Sequence, residues 1–170
     1  MPVAWRGVAA AAVSGALSYA TCFVGDGVGT HWGAGLMFGL LVLAPGAHEA
    51  GRRVLLVALS MAVYRAAVWI AQDLYVDTAL PAVAACALAG AAGALALPPG
   101  AGALLGTRPG ARAVALGAAC GAGAGVLIGA SVVAPDESLV QKLLLLSGFV
   151  TWQVGYTAAH RLRPWARSTG

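Results

Sequence analysis

The chain has 170 residues, of which 60% are hydrophobic and 9% are charged, and its mean hydropathy is +0.83. Soluble domains average about 45–50% apolar residues with glycine counted and about 25% charged residues, whereas this chain carries 24 glycines besides its hydrophobic residues. The composition argues against a soluble enzyme, a disordered protein and a nucleic-acid-binding domain, and it predicts an all-α, polytopic integral membrane bundle.

Six stretches are long and apolar enough to be membrane spans, which need about 20 residues each. We predict transmembrane helices over residues 7–25, 29–46, 54–72, 78–97, 112–134 and 139–160, so that residues 1–170 form a single transmembrane domain. An alternative for the first span is a signal peptide with a cleavage site at Ser18-Tyr19-Ala20. Asp77 and Thr78 are expected to start the fourth helix, and residues 98–111 are expected to form a flexible connection.

Charged residues alternate between the two sides of this predicted bundle. One side receives the residues Arg6, His48, Glu49, Arg52, Arg53, Arg108, Arg112, Arg161, Arg163 and Arg167. The other side receives five acidic residues and no arginine: Asp26, Asp73, Asp77, Asp136 and Glu137. Basic residues favour the cytoplasmic side, so both termini are predicted to be cytoplasmic. Nine arginines against one lysine, with abundant alanine, are typical of a GC-rich bacterial genome and indicate a bacterial inner membrane. Because the net charge of +4 comes from these short connections, no nucleic-acid partner is expected.

The fifth predicted span carries a glycine at every fourth position: Gly117, Gly121, Gly125 and Gly129. This spacing places the four glycines on one helix face. Small residues let helix backbones approach closely in lipid, so the pattern predicts a Gly/Ala-packed bundle of the glycine-zipper type. The face could pack within the monomer, or it could contact a partner membrane subunit or a second copy of the chain.

Arg65 lies 11 residues into the third predicted span, or roughly 16 Å at 1.5 Å per residue. This depth is close to the middle of a hydrocarbon core about 30 Å thick. No acidic residue of the chain lies at that depth, so Arg65 is predicted to bind an anionic or polar small molecule or a partner's acid. The alternative is that its side chain extends to the interface along Trp69.

Polar residues follow helical spacing in the third and sixth spans, which are therefore predicted to wall a polar cavity. The candidate ligand-binding residues are Arg65, Tyr64, Trp69, Gln72, Gln153, Tyr156 and His31. Gln153 and Tyr156 could instead make ordinary hydrogen bonds between helices, and His31 could be a polar cap at the interface.

The sequence contains no recognisable catalytic or metal-binding motif, so no catalytic residue, metal or cofactor is predicted. Cys22, Cys86 and Cys120 are expected to be buried thiols. One alternative is a haem between His48 and His160, and another is an intramembrane lipid enzyme, which would rest on Arg65 and His31 alone.

The sequence favours a solute-binding or translocating membrane subunit in contact with the lipid bilayer, and the alternative is a non-catalytic assembly subunit of a larger membrane complex. In helix count and length alone, the chain is similar to the membrane-embedded substrate-binding subunits of energy-coupling-factor vitamin transporters.

Overall fold

The computed structural model describes residues 3–23, 28–161 and 166–167, with side chains for residues 5–23 and 32–160. Its helices are α1 (Val3–Thr21), α2 (Val28–Phe38), α3 (Ala50–Val76), α4 (Ala82–Leu105), α5 (Ala111–Val133) and α6 (Leu139–Arg161). A two-residue strand pair, β1 (Thr107–Arg108) and β2 (Ala166–Arg167), is antiparallel. Within the described residues, α3, α4 and α5 are long and apolar enough to cross a membrane.

The helix that begins with α2 changes its pitch before it ends. Residues Gly39–Leu43 form a π-helical turn, and residues Ala44–Gly46 form a 3-10 turn. The backbone N–H of Ala44 donates to the carbonyl oxygen of Gly39, five residues earlier. Pro45 follows at once and has no N–H to continue an α-helical ladder. The whole run of Val28–Gly46 therefore fills the length predicted for the second span.

The third helix extends beyond both ends of the predicted range 54–72. It includes polar residues that were predicted to lie in the connections on either side of it. Asp77 donates its N–H to the carbonyl oxygen of Asp73 at 2.8 Å, and Thr78 Oγ1 donates to the carbonyl oxygen of Leu74 at 2.5 Å. Asp77 and Thr78 thus close α3, and their predicted role at the start of the fourth helix is wrong. The start of α4 follows Pro81, whose carbonyl oxygen accepts from the N–H groups of residues 84 and 85.

The flexible connection predicted over residues 98–111 is also wrong, because α4 continues through Pro98 and Pro99 to Leu105. Proline removes a backbone donor, but packing against neighbouring helices stabilises such a segment in a membrane bundle. Pro98 is fully buried, and Gly100 packs against the side chain of Leu59 on α3. The helix ends at Gly106, whose φ of +67° is the left-handed conformation that favours glycine at a helix end.

The turn between α5 and α6 is held by the side chains of Ser138, which precedes α6, and of Gln141 in the first turn of α6. The backbone N–H of Gln141 donates to Ser138 Oγ at 3.1 Å, and Gln141 Oε1 accepts from the N–H of Glu137 at 2.8 Å. This reciprocal arrangement resembles a capping box and satisfies donors that a helix start leaves free.

The six helices form a closed ring, since each packs against its neighbours in sequence and α1 also packs against α6. We call the end with the connections 77–81 and 134–138 the acidic end, and the end with the connections 47–49 and 106–110 the basic end. Two buried clusters fill the ring. The cluster nearer the basic end contains Phe38, Leu43, Ala47, Leu56, Leu97, Ala101 and Tyr156. The cluster nearer the acidic end contains Ala34, Tyr64, Ala124, Phe149 and Trp152.

Candidate ligand cavity

A cavity of about 400 Å³ lies between α3, α4, α5 and α6, in the half of the ring nearer the acidic end. Small-molecule sites usually occupy about 300–1,000 Å³, so the cavity is near the lower end of that range. Cys22, just beyond α1, also lines it. Its lining is almost entirely apolar, and no charged side chain contributes to it among the described residues.

Small residues of α4 and α5 create the space on one side of the cavity. Ala89, Gly90 and Gly93 of α4 and Gly121, Ala124 and Gly125 of α5 line this wall. Because these residues carry one methyl group or none, the two helices approach each other closely and leave volume toward α3 and α6. Of these residues, Gly121 and Gly125 were predicted from the sequence to serve helix packing.

Three aromatic rings join α3 to α6 at the cavity. The ring centroid of Tyr64 lies 6.3 Å from that of Phe149 and 6.2 Å from that of Trp152. These separations fall in the range of favourable aromatic pairs. All three residues are buried and line the cavity toward the middle of the bundle.

The mouth of the cavity lies at the acidic end, because its exposed lining residues are Gln72 in the last turns of α3 and Val132 near the end of α5. Gln141 and Ser131 line the same end. Ser131 Oγ donates to the carbonyl oxygen of Ile128 at 2.6 Å. Uncharged polar groups of the lining therefore lie at the opening, and the rings of Tyr64 and Trp152 add a hydroxyl group and a buried indole N–H farther in.

The predicted stripe on α3 divides between the cavity and the outer surface. Tyr64 and Gln72 line the cavity, whereas Arg65 and Trp69 do not. Trp69 is 61% exposed on the outer surface of the ring. Arg65 is half-buried, and its Nη1 atom is inaccessible and has no hydrogen-bond partner among the described residues. The cavity therefore lacks the positive charge that the sequence suggested for it.

The predicted residues of α6 also lie away from the cavity. Gln153 is fully buried, and its Nε2 donates to Ser18 Oγ of α1 at 2.7 Å. Ser18 Oγ in turn donates to the carbonyl oxygen of Ser14 at 2.8 Å. This chain of hydrogen bonds links α1 to α6 at mid-bundle.

Tyr156 packs between Phe38 and His160, with ring-centroid distances of 5.6 Å and 4.2 Å. Its hydroxyl group is buried and has no hydrogen-bond partner among the described residues. The remaining candidate, His31, belongs to α2, but its side chain lies outside the described residues.

The row of glycines on α5 contacts two different helices within the chain. A Cβ atom on Gly121, Gly125 or Gly129 would collide with the backbone of α4. A Cβ atom on Gly117 would instead lie 3.5 Å from His160 Nε2 of α6. Within the chain, α4 therefore covers most of this face.

Sequence reasoning missed several residues that the structure brings to these sites. Ser14 and Ser18 are four residues apart in α1, a spacing that could have indicated a polar contact to another helix. Cys22 and Cys86 line the cavity, whereas Cys120 packs against Gly155 of α6. Within the described residues, no group of three His, Cys, Asp or Glu side chains could hold a metal ion.

Comparison with known proteins identifies no relative of this chain: it matches no protein-family profile, no curated protein and no solved structure.

Proposed function

We propose that this chain is a membrane subunit that binds a small solute in the cavity between α3, α4, α5 and α6. The observation that supports this function is a space of about 400 Å³ that is bounded by four helices and open at the acidic end. Interiors of folded proteins contain few voids larger than a water molecule. A space of this size holds about a dozen waters at ~30 Å³ each, so it is more than a packing defect.

We further propose that all six helices cross the bilayer, with both termini in the cytoplasm of a bacterium. The charge distribution supports this topology, because arginines concentrate at the basic end and acids at the acidic end. The cavity would then open to the outside of the cell. Alkaline phosphatase should be active when fused after residue 136 and inactive when fused after residue 108; the reverse pattern would refute the topology.

A second function is favoured by Arg65. Its buried Nη1 has no hydrogen-bond partner among the described residues, and a charge at membrane depth costs about 2.5–3.5 kcal/mol on insertion scales. A carboxylate on a helix of another protein would offset this cost. The chain would then be a non-catalytic assembly subunit of a larger membrane complex, with Arg65 as its docking charge.

Native mass spectrometry of the protein, extracted gently from its host membrane, separates the two functions. Solute binding predicts a small molecule of reproducible mass on the wild-type protein and equally on Arg65→Gln, because Arg65 does not line the cavity. Assembly predicts a stoichiometric second polypeptide that is lost from Arg65→Gln. A second polypeptide without any small molecule would overturn the solute-binding function.

A further inference from the structure

We infer that the cavity selects an uncharged, largely apolar solute that enters from the acidic end. This inference rests on the proposed function and names the chemical class of its ligand. It departs from the anionic or polar molecule that the sequence suggested on the basis of Arg65.

The lining supplies no counter-charge for an ionic ligand. Among the described residues, no Asp, Glu, Lys, Arg or His lines the cavity, and Arg65 lies outside it. Burying a charge without a partner in an apolar site is costly, and a carboxylate or phosphate would have to leave its water shell at the mouth. An uncharged molecule avoids this cost.

The cavity combines large apolar surfaces with a few uncharged polar groups. Its inner part is bounded by Tyr64, Phe149 and Trp152, whose rings offer a large apolar contact surface. The amide of Gln72 is exposed at the mouth, where it can donate and accept hydrogen bonds. An apolar body therefore fits next to the rings, and a hydroxyl, carbonyl or amide group fits at the opening. The indole N–H of Trp152 is buried without a partner among the described residues, so it is a second, uncharged donor in the inner part.

The position of the mouth favours a solute from the aqueous side over a lipid chain. A molecule already in the bilayer gains no hydrophobic free energy by moving into an apolar cavity, since both surroundings are apolar. A molecule that arrives from water gains about 25 cal/mol for each Å² of apolar surface that it buries. The two most exposed lining residues, Gln72 and Val132, lie at the acidic end, where water has access.

A matched pair of probes tests the ligand class. N-phenyl-1-naphthylamine is uncharged, and 1-anilinonaphthalene-8-sulfonate has the same ring system with one negative charge. Each probe is equilibrated with the protein in nanodiscs. The protein is then released from the nanodiscs in the mass spectrometer, and native mass spectrometry counts the probe molecules bound to each chain. We expect the uncharged probe to bind at least about tenfold more tightly than the sulfonate, which corresponds to about 1.4 kcal/mol.

Two variants locate the bound probe. Ala71 lines the cavity, so Ala71→Phe fills part of it and should weaken binding of the uncharged probe by about tenfold or more. Ala66 is exposed on the same helix and does not line the cavity, so Ala66→Phe should leave binding within about twofold of wild type. If Ala71→Phe does not fold, the comparison of the two probes on the wild-type protein still tests the ligand class.

The outcomes distinguish failure of this inference from failure of the proposed function. Equal or tighter binding of the sulfonate would overturn the uncharged class while leaving a solute-binding cavity. Binding that is unchanged in Ala71→Phe would place the probe elsewhere and overturn the inference. Retention of only phospholipid on the protein from its host membrane would replace the aqueous solute with a lipid chain. Absence of every small molecule, including both probes, would overturn the proposed function itself.

Discussion

A glycine-to-alanine substitution at Gly129 should loosen the contact between α4 and α5. A Cβ atom at this position would lie 2.5 Å from Val83 Cα and 2.7 Å from the carbonyl oxygen of Ala82. Ordinary contacts of this kind measure 3.4–4 Å. Because both neighbours are backbone atoms, no side-chain rotation can relieve the overlap, and the helices must separate locally by about 0.9 Å to restore a 3.4 Å contact.

The size of the expected destabilisation follows from the loss of dispersion contacts between α4 and α5. A gap of about 0.5–1 Å forfeits a quarter to a half of the attraction between neighbouring atoms. Overpacking of this kind typically costs about 1–3 kcal/mol, partly offset by up to about 1 kcal/mol from the higher helix propensity of alanine. In a chain of this size, each kcal/mol of lost stability lowers the melting temperature by about 2–4 °C, so Gly129→Ala should lower Tm by about 5 °C.

The assay is thermal unfolding of the purified protein in detergent, and Gly123→Ala is the matched control. Gly123 lies on the same helix, is exposed, and has open space where its Cβ atom would lie. Gly123→Ala should therefore keep Tm within about 2 °C of wild type or raise it slightly. Equal melting temperatures for Gly129→Ala and Gly123→Ala would refute the close backbone contact between α4 and α5.

Two further predictions concern buried polar groups. Tyr156→Phe removes a hydroxyl group that has no hydrogen-bond partner among the described residues. The substitution should therefore leave the free energy of unfolding, measured in mixed micelles, unchanged or slightly higher. A loss above about 1 kcal/mol would reveal an unrecognised partner of the hydroxyl group. Ser18→Ala removes the hydrogen bond that Gln153 Nε2 donates to Ser18 and should destabilise the protein by about 0.5–1.5 kcal/mol. The same change in a Gln153→Leu background should destabilise the protein less. Strictly additive effects of the two substitutions in this double-mutant cycle would show that the hydrogen bond contributes nothing to stability.

Helix positions could be predicted from the sequence because apolar length is the dominant signal in a membrane protein. The ends were harder to place, as α4 shows. Consecutive prolines at 98 and 99 normally favour a helix end, and the burial of Pro98 in the ring could not be known before the fold. The glycine at 106, with its φ of +67°, was the local signal that marks the true end of α4.

The cavity was less predictable than the helices, because helical periodicity assigns residues to a face without saying what that face contacts. Arg65 and Gln72 share one stripe of α3, yet Gln72 lines the cavity and Arg65 does not. Gln153 was expected at a ligand, and Ser18 of α1 accepts its hydrogen bond instead. The volume itself arises from small residues such as Gly93 and Ala124, which carry no chemical signature of a binding site.

The two prolines of α4 also interrupt the backbone hydrogen bonds of that helix. Without N–H groups at 98 and 99, the helical hydrogen bonds to the carbonyl oxygens of Ala94 and Leu95 cannot form. The segment before the break walls the cavity, and the segment after it packs into the buried cluster near the basic end. A helix bends most easily where its ladder is interrupted. The cavity wall therefore joins the rest of α4 at the position where the helix resists bending least.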